Sequence, residues 1–118
     1  MVQNKRSIGN AYEKVAGAYL ENLGYEILEY NFYCHRGEVD IVARHEGYLV
    51  FVEVKYRKTV SAGHPLEALS LRKQRAICHS AFYYMHTKGL IHLPVRFDVV
   101  GILGEEIQVV KNAFDFVC

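Results

Sequence analysis

The chain has 118 residues, 51% of them hydrophobic, 23% charged and 13% aromatic, with only 2 prolines. These values fit one folded domain spanning residues 1–118 and exclude a disordered or collagen-like chain. Lys and Arg total 14 against 13 Asp and Glu, a formal +1, so net charge selects no partner.

No apolar run approaches the roughly 18 residues of a membrane span, so no membrane association is expected. The polar opening MVQNKRSIGN lacks the apolar core of a secretory signal. Cys34, Cys78 and Cys118 are odd in number and widely scattered, which argues against a disulfide framework and for a cytoplasmic protein. Charge distribution says more than its sum. Residues 13–53 carry 8 acids and 3 bases, whereas 55–88 carry 7 bases and only Glu67. An acidic cluster beside a basic stretch suits a metal site next to a phosphate-holding surface; an ordinary charged surface gives the same pattern.

In chain order, Ile8, Ala11, Tyr12, Val15, Ala16, Tyr19, Leu20 and Leu23 repeat at helical spacing, predicting a helix over Ser7–Leu23. Ser7 suits its N-cap and Gly24 its C-terminal stop. Glu13 lies in line with Gly9 and Gly17 at the edge of the apolar face, where it can look inward. Tyr25–Asn31, Gly37–Arg44 and Tyr48–Lys55 read as strands, the last two joined by a Glu46-Gly47 turn. Helical spacing returns through Leu69, Ala76, Ile77, Ala81, Tyr84 and Met85 and ends at Lys88-Gly89. Val95–Leu103 and Glu106–Lys111 form a last strand pair around Gly104. The order α-β-β-β-α-β-β predicts an α/β fold, a mixed central β-sheet flanked by helices.

The middle hairpin carries the most information. A two-residue turn pairs His45 with Tyr48, Ala43 with Val50, Ile41 with Val52 and Val39 with Val54, an apolar face that belongs in the core. The other face sets Asp40 opposite Glu53 and Glu38 opposite Lys55. Two carboxylates directly across a strand pair repel, and a divalent cation between them reverses the sign of that interaction. Mg²⁺ suits one or two carboxylates completed by water and phosphate. Lys55, two residues beyond Glu53, can then stabilise phosphate charge or assist the attacking water. The same residues also describe a solvated strand face with an ordinary Glu38–Lys55 pair, worth about 0–1 kcal/mol.

Asp40 followed by Glu53-Val54-Lys55 resembles the PD-(D/E)xK signature of restriction-endonuclease-like nucleases, with Val39 where the proline often stands. The wider pattern is more specific. Gly9 to Leu20, Gly24-Tyr-Glu-Ile-Leu, Gly37-Glu-Val-Asp40, Phe51 to Arg57, His64-Pro-Leu-Glu-Ala, Lys73, Arg96-Phe-Asp-Val-Val and Asn112-Ala-Phe resemble the YraN-like family of bacterial proteins over nearly the whole chain. That family is thought to be related to archaeal Holliday-junction resolvases. The resemblance implies a restriction-endonuclease-like fold and Mg²⁺- or Mn²⁺-dependent cleavage of DNA, including branched or junction DNA. It implies that Asp40, Glu53 and the Val54 carbonyl hold the metal, that Lys55 is the catalytic lysine, and that Glu13 completes the site. By analogy with resolvases it also implies a homodimer. Tyr12 departs from the glycine that usually precedes this glutamate.

Arg57, Lys58 and Lys73 are candidate phosphate contacts for nucleic acid, as are Arg72 and Arg75, although a solvated helix start accounts for the last two equally well. Cys34-His35 and Cys78-His79 lack zinc-ligand spacing. Tyr83 and Tyr84 read as packing residues. No P-loop, GxSxG or GxGxxG occurs. The competing reading is a nucleic-acid-binding or scaffold protein that keeps the fold and does not cut. An RNA-directed nuclease fits the same residues.

Overall fold

A computed structural model of the chain describes residues 5–67 and 69–117, with side chains from residue 11 onward except Ala62. The elements are α1 (Lys5–Asn22), β1 (Glu26–Cys34), β2 (Gly37–His45), β3 (Tyr48–Arg57), a 3₁₀ turn at Val60–Ala62, α2 (Leu71–Thr87), β4 (Val95–Leu103) and β5 (Glu106–Phe114). The expected α-β-β-β-α-β-β order holds, and the architecture is compatible with the restriction-endonuclease-like expectation. One five-stranded sheet runs β1-β2-β3-β4-β5. All neighbours are antiparallel except β3 and β4. A parallel pair needs a long crossover, and α2 lies within it. No helix among the described residues is long and apolar enough to cross a membrane.

The two helices cover opposite faces of the sheet. Ala16 and Leu20 of α1 bury against Ile41, Ala43, Val50, Val52, Val100 and Ile102. Ile77, Ala81 and Tyr84 of α2 bury against Val42, Leu49, Phe51 and Phe97. The stripe expected on α1 is narrower than its spacing suggested, because Val15 and Leu23 stay largely exposed. Ile8 and Cys118 fall outside the described side chains. Ser7 is inside α1 rather than capping it, since the helix already starts at Lys5. At the other end Gly24, at φ 94°, reverses the chain, and the Tyr25 N–H donates to the Leu20 carbonyl. Ser70 caps α2 by accepting from the Lys73 N–H, which leaves Leu69 just before the helix rather than in it. β1 runs three residues beyond its expected end at Asn31, as does β5 beyond Lys111.

The hairpin register is the one the two-residue turn requires, from His45↔Tyr48 to Ile41↔Val52. Glu46 and Gly47 both take positive φ, 51° and 85°, as a type I′ turn demands. Beyond Ile41 the regular pattern fails. Val39 packs with Val42 on the α2 side, whereas Ile41 and Ala43 face α1, so the expectation that Val39 shares their face is corrected. β1 slips at the matching place: Tyr30 faces α1, Phe32 faces α2, and Asn31 between them sits at φ 55°. Asparagine tolerates that left-handed conformation better than most residues. The alternation thus breaks in two adjacent strands beside Asp40.

Candidate functional site

The break brings three acids together from three elements. Glu13 of α1, Asp40 of β2 and Glu53 of β3 are only 9%, 8% and 8% exposed. Glu13 reaches inward because it shares the packed face of α1, where Gly17 allows close approach to Tyr30. Asp40 occupies the fork where β2 and β3 leave regular pairing, and its Oδ2 accepts the Val54 N–H at 2.8 Å. Glu53 follows Phe51 on the α2 side of β3, where its Oε2 lies 3.4 Å from Nζ of Lys73.

Electrostatics links the three. Burial first, then the charge of Asp40, pushes the carboxyl of Glu13 up to about 8; Asn31 opposes the shift by hydrogen bonding, and Glu38 adds to it. Glu53 is likewise pushed up to about 8 by burial and by Asp40, against the pull of Lys73. Asp40 is therefore common to both. Oε1 of Glu13 is buried with no hydrogen-bond partner, a costly state for a carboxylate oxygen. Among the described residues no three His, Cys, Asp or Glu side chains form a ready-made metal cage. The acids form a row, Glu13–Asp40–Glu53, and not a shell. A row with one or two carboxylates within reach of a common point fits Mg²⁺, which keeps several waters; it does not fit zinc.

The basic candidates divide between the acids and the flanks. Lys55 follows Glu53 along β3, half-buried and opposite Gly101 of β4. A side chain at Gly101 would strike Leu66 from the loop before α2, so that loop seals the sheet directly beside Lys55. Among the described residues Glu38 makes no ion pair with Lys55, so the plain cross-strand pair is absent. Arg57 donates to the Tyr56 carbonyl and Lys58 is exposed. Four residues of strand put Arg57 about 13 Å from Glu53, on the flank and not at the acids. Arg72 and Arg75 are exposed. Tyr84 is buried as a packing residue, but Tyr83 is about half exposed.

Tyr12 occupies the position where the resemblance expects glycine without expelling Glu13. Its ring stacks on Tyr56 at 3.7 Å with an interplanar angle of 16°, so the bulk is absorbed against the sheet. Sequence reading missed other contributors. Lys73, a candidate phosphate contact, also touches Glu53, a contact its place in the sequence does not suggest. The Asn31 partnership with Glu13 depends on an irregular strand. A buried polar cluster on the α1 face also went unread: Arg96 donates twice to Asp98 at 2.9 Å, Tyr25 donates to Asp98 at 2.6 Å, and Nδ1 of His45 lies 2.8 Å from Arg96. Its available signal was Arg96-x-Asp98 in an apolar strand, a spacing that puts both charges on one buried face.

The model of the uncharacterised protein family UPF0102 matches residues 12–102, which includes the whole row of acids. The chain belongs to the UPF0102 family. It is similar to a UPF0102 protein of Lachnoclostridium phytofermentans at 52% identity, covering 95% of this chain and 96% of that one. A UPF0102 protein of Caldicellulosiruptor saccharolyticus is 41% identical over 94% of this chain and 99% of its own length. One from Pseudoalteromonas translucida is 41% identical, covering 95% and 94%. The shared pattern between UPF0102 members and this chain thus extends over nearly its full length.

Proposed function

We propose that this UPF0102 protein is a Mg²⁺- or Mn²⁺-dependent nuclease that hydrolyses phosphodiester bonds in DNA, with branched or junction DNA as the favoured form. The observation that carries the reading is the buried row Glu13–Asp40–Glu53, in which burial and the charge of Asp40 raise both glutamates despite Asn31 and Lys73, and in which Oε1 of Glu13 has no hydrogen-bond partner. Asp40, Glu53 and the backbone carbonyl of Val54 would hold the ion, with Glu13 supporting Asp40 from α1. A bound dication supplies charge neutralisation at the phosphate and a more acidic water. Lys55, half-buried one alternation beyond Glu53, presents an ammonium to the developing negative charge on phosphate. Lys73 holds the Glu53 carboxylate from α2. Arg57 and Lys58, farther along β3, suit backbone phosphates away from the scissile bond.

The test compares wild type with Asp40→Asn and Lys55→Ala on branched, nicked and single-stranded DNA in Mg²⁺ or Mn²⁺. We expect EDTA to abolish cleavage, Asp40→Asn to remove Mn²⁺ binding by calorimetry, and Lys55→Ala to slow cleavage about 10²–10³-fold with Mn²⁺ binding retained. Cleavage by Asp40→Asn at the wild-type rate refutes the proposal. DNA binding that ignores EDTA, with no Mn²⁺ uptake by wild type, identifies a non-cutting binding protein instead.

A further inference from the structure

Along α2, where it meets the β1–β2 turn, two shallow grooves lie end to end. The nearer, of about 530 Å³, runs between that turn and Lys73 and Ala76. The farther, of about 260 Å³, is walled by the same turn and by His79, Phe82, Tyr83 and His86. Cys34, His35 and Arg36 border both, so the two are continuous. The channel starts at the acids, because Lys73 Nζ is 3.4 Å from Oε2 of Glu53, and reaches Tyr83 about 15 Å farther along the helix. Its wall is fixed: a Cβ on Gly37 would meet the Ala76 carbonyl and the Ser80 hydroxyl at 3.3 Å, and Cys34 Sγ lies 3.4 Å from that hydroxyl.

Aromatic surface and positive charge share this channel. Phe82 and Tyr83 keep 57% and 49% of their surface accessible. Both rings are braced, Phe82 by His86 with centroids 4.2 Å apart and Tyr83 by Phe32 at 6.1 Å. Arg36 and Lys73 supply the charge, and Glu38, the one acid among the described lining residues, turns away. Phe32 and Val39 pair across β1 and β2 and pack on the α2 side. Alternation therefore sends the next pair, Tyr33 and Glu38, to the opposite face, where the charge of Glu38 reaches Glu13. Among the described residues, the Cys and His side chains along the channel form no metal cage.

We infer that this channel leads an unpaired strand away from the acids, with its phosphates at Lys73 and Arg36 and its bases against the rings of Phe82 and Tyr83. The inference rests on the nucleic-acid reading above and narrows its substrate class to DNA with a single-stranded arm beside the cleaved bond. Cations that track phosphates and rings that stack bases are the two contacts unpaired strands use. Bases stacked inside a duplex offer these rings no free face. A second copy of the chain fits the same surface less well, because an isologous contact sets a patch against itself and so brings one basic rim against the other.

Fluorescence anisotropy in EDTA, with a single-stranded oligonucleotide and a fully paired duplex as probes, tests this without requiring cleavage. Phe82→Leu keeps apolar bulk but removes the aromatic face; it is expected to weaken single-strand binding about ten-fold and to leave duplex binding unchanged. Tyr83→Ala should do the same, and Tyr83→Phe should bind as wild type. Arg36→Ala is expected to weaken single-strand binding and to lower its salt-dependence slope by about 0.7. Thermal melts matching wild type exclude misfolding as the cause. Phe82→Leu and Tyr83→Ala proteins that bind single strands as wild type does overturn the inference, as does an equal loss on both probes or a wild type that binds neither. Sedimentation that shows a wild-type dimer turned monomeric by Phe82→Leu, with single-strand binding unchanged, gives the surface to a second copy and overturns it too. Metal-dependent cleavage that none of these variants alters sinks the channel alone. A channel effect in a protein that never cuts leaves the channel standing and sinks the nuclease.

Discussion

At the scale of single residues, Asp98 is the most committed side chain in the molecule. It is fully buried, accepts two hydrogen bonds from Arg96 and one from Tyr25, and also takes the Asn112 N–H, which fastens an irregular stretch of β5 to β4. Burial first, then Asp98, pushes the Tyr25 hydroxyl above its ordinary value, so it stays protonated and donates. Every polar atom of this carboxylate is used within the protein, in contrast to Glu13, whose Oε1 is not. On the proposed function, that difference separates a structural acid from a site acid. Asp98→Ala leaves Arg96 buried without its partner and should cost about 3–5 kcal/mol in urea unfolding; a cost below about 1 kcal/mol would mean the cluster relaxes without it.

Among the elements, α1 decides how near Glu13 comes to Asp40. A Cβ on Gly17 would stand 2.0 Å from the Tyr30 hydroxyl and 2.9 Å from its ring carbon, while Lys14 lies over the same ring at 3.8 Å. Gly17→Ala gains about 1 kcal/mol of helix propensity but overpacks this contact at about 1–3 kcal/mol. We expect a net loss in stability, and weaker Mn²⁺ binding because Glu13 is displaced with its helix. Equal Mn²⁺ affinity in the variant would remove Glu13 from the site. On the opposite face, α2 contributes Lys73. Replacing it by alanine removes the ammonium beside Glu53, which should raise the Glu53 pKa further and shift Mn²⁺ binding to higher pH.

For the molecule as a whole, the raised carboxyls make stability depend on pH. Glu13 and Glu53 ionise near their ordinary value of 4.5 when unfolded and at about 8 when folded. Below 4.5 both states are protonated and their contribution is complete. As pH climbs from 4.5 to 8 the unfolded chain loses these protons first, so stability falls. The metal-free melting temperature should therefore drop between pH 5 and pH 8.5, and millimolar Mn²⁺ at pH 8 should restore it. A Glu13→Gln, Glu53→Gln double variant should flatten the dependence. If that variant keeps the wild-type slope, other groups govern the fall in stability with rising pH.

Much of this arrangement is legible in the residues. The Glu46-Gly47 turn dictates the register of β2 against β3, because two residues at positive φ leave one pairing open. That pairing, read outward, already sets Asp40 beside Glu53. Glycine positions in α1 likewise show which face approaches the sheet, and so where Glu13 points. The slip in alternation at Asn31 and Asp40 is not legible, since period-two reading assumes a regular strand and two neighbouring strands must yield together. Arg96 reads as one more charge until its partners on α1's end and the hairpin surround it.

Local sequence thus determined the elements, the hairpin register and the identity of the acids, because turns, helix stops and apolar spacing act over a few residues. Only tertiary structure decided that β3 and β4 run parallel, that Lys73 crosses from α2 to Glu53, and that Arg96, Asp98, Tyr25 and His45 form one buried cluster. Those contacts join residues distant along the chain, and their free energy depends on the packing of both sheet faces together.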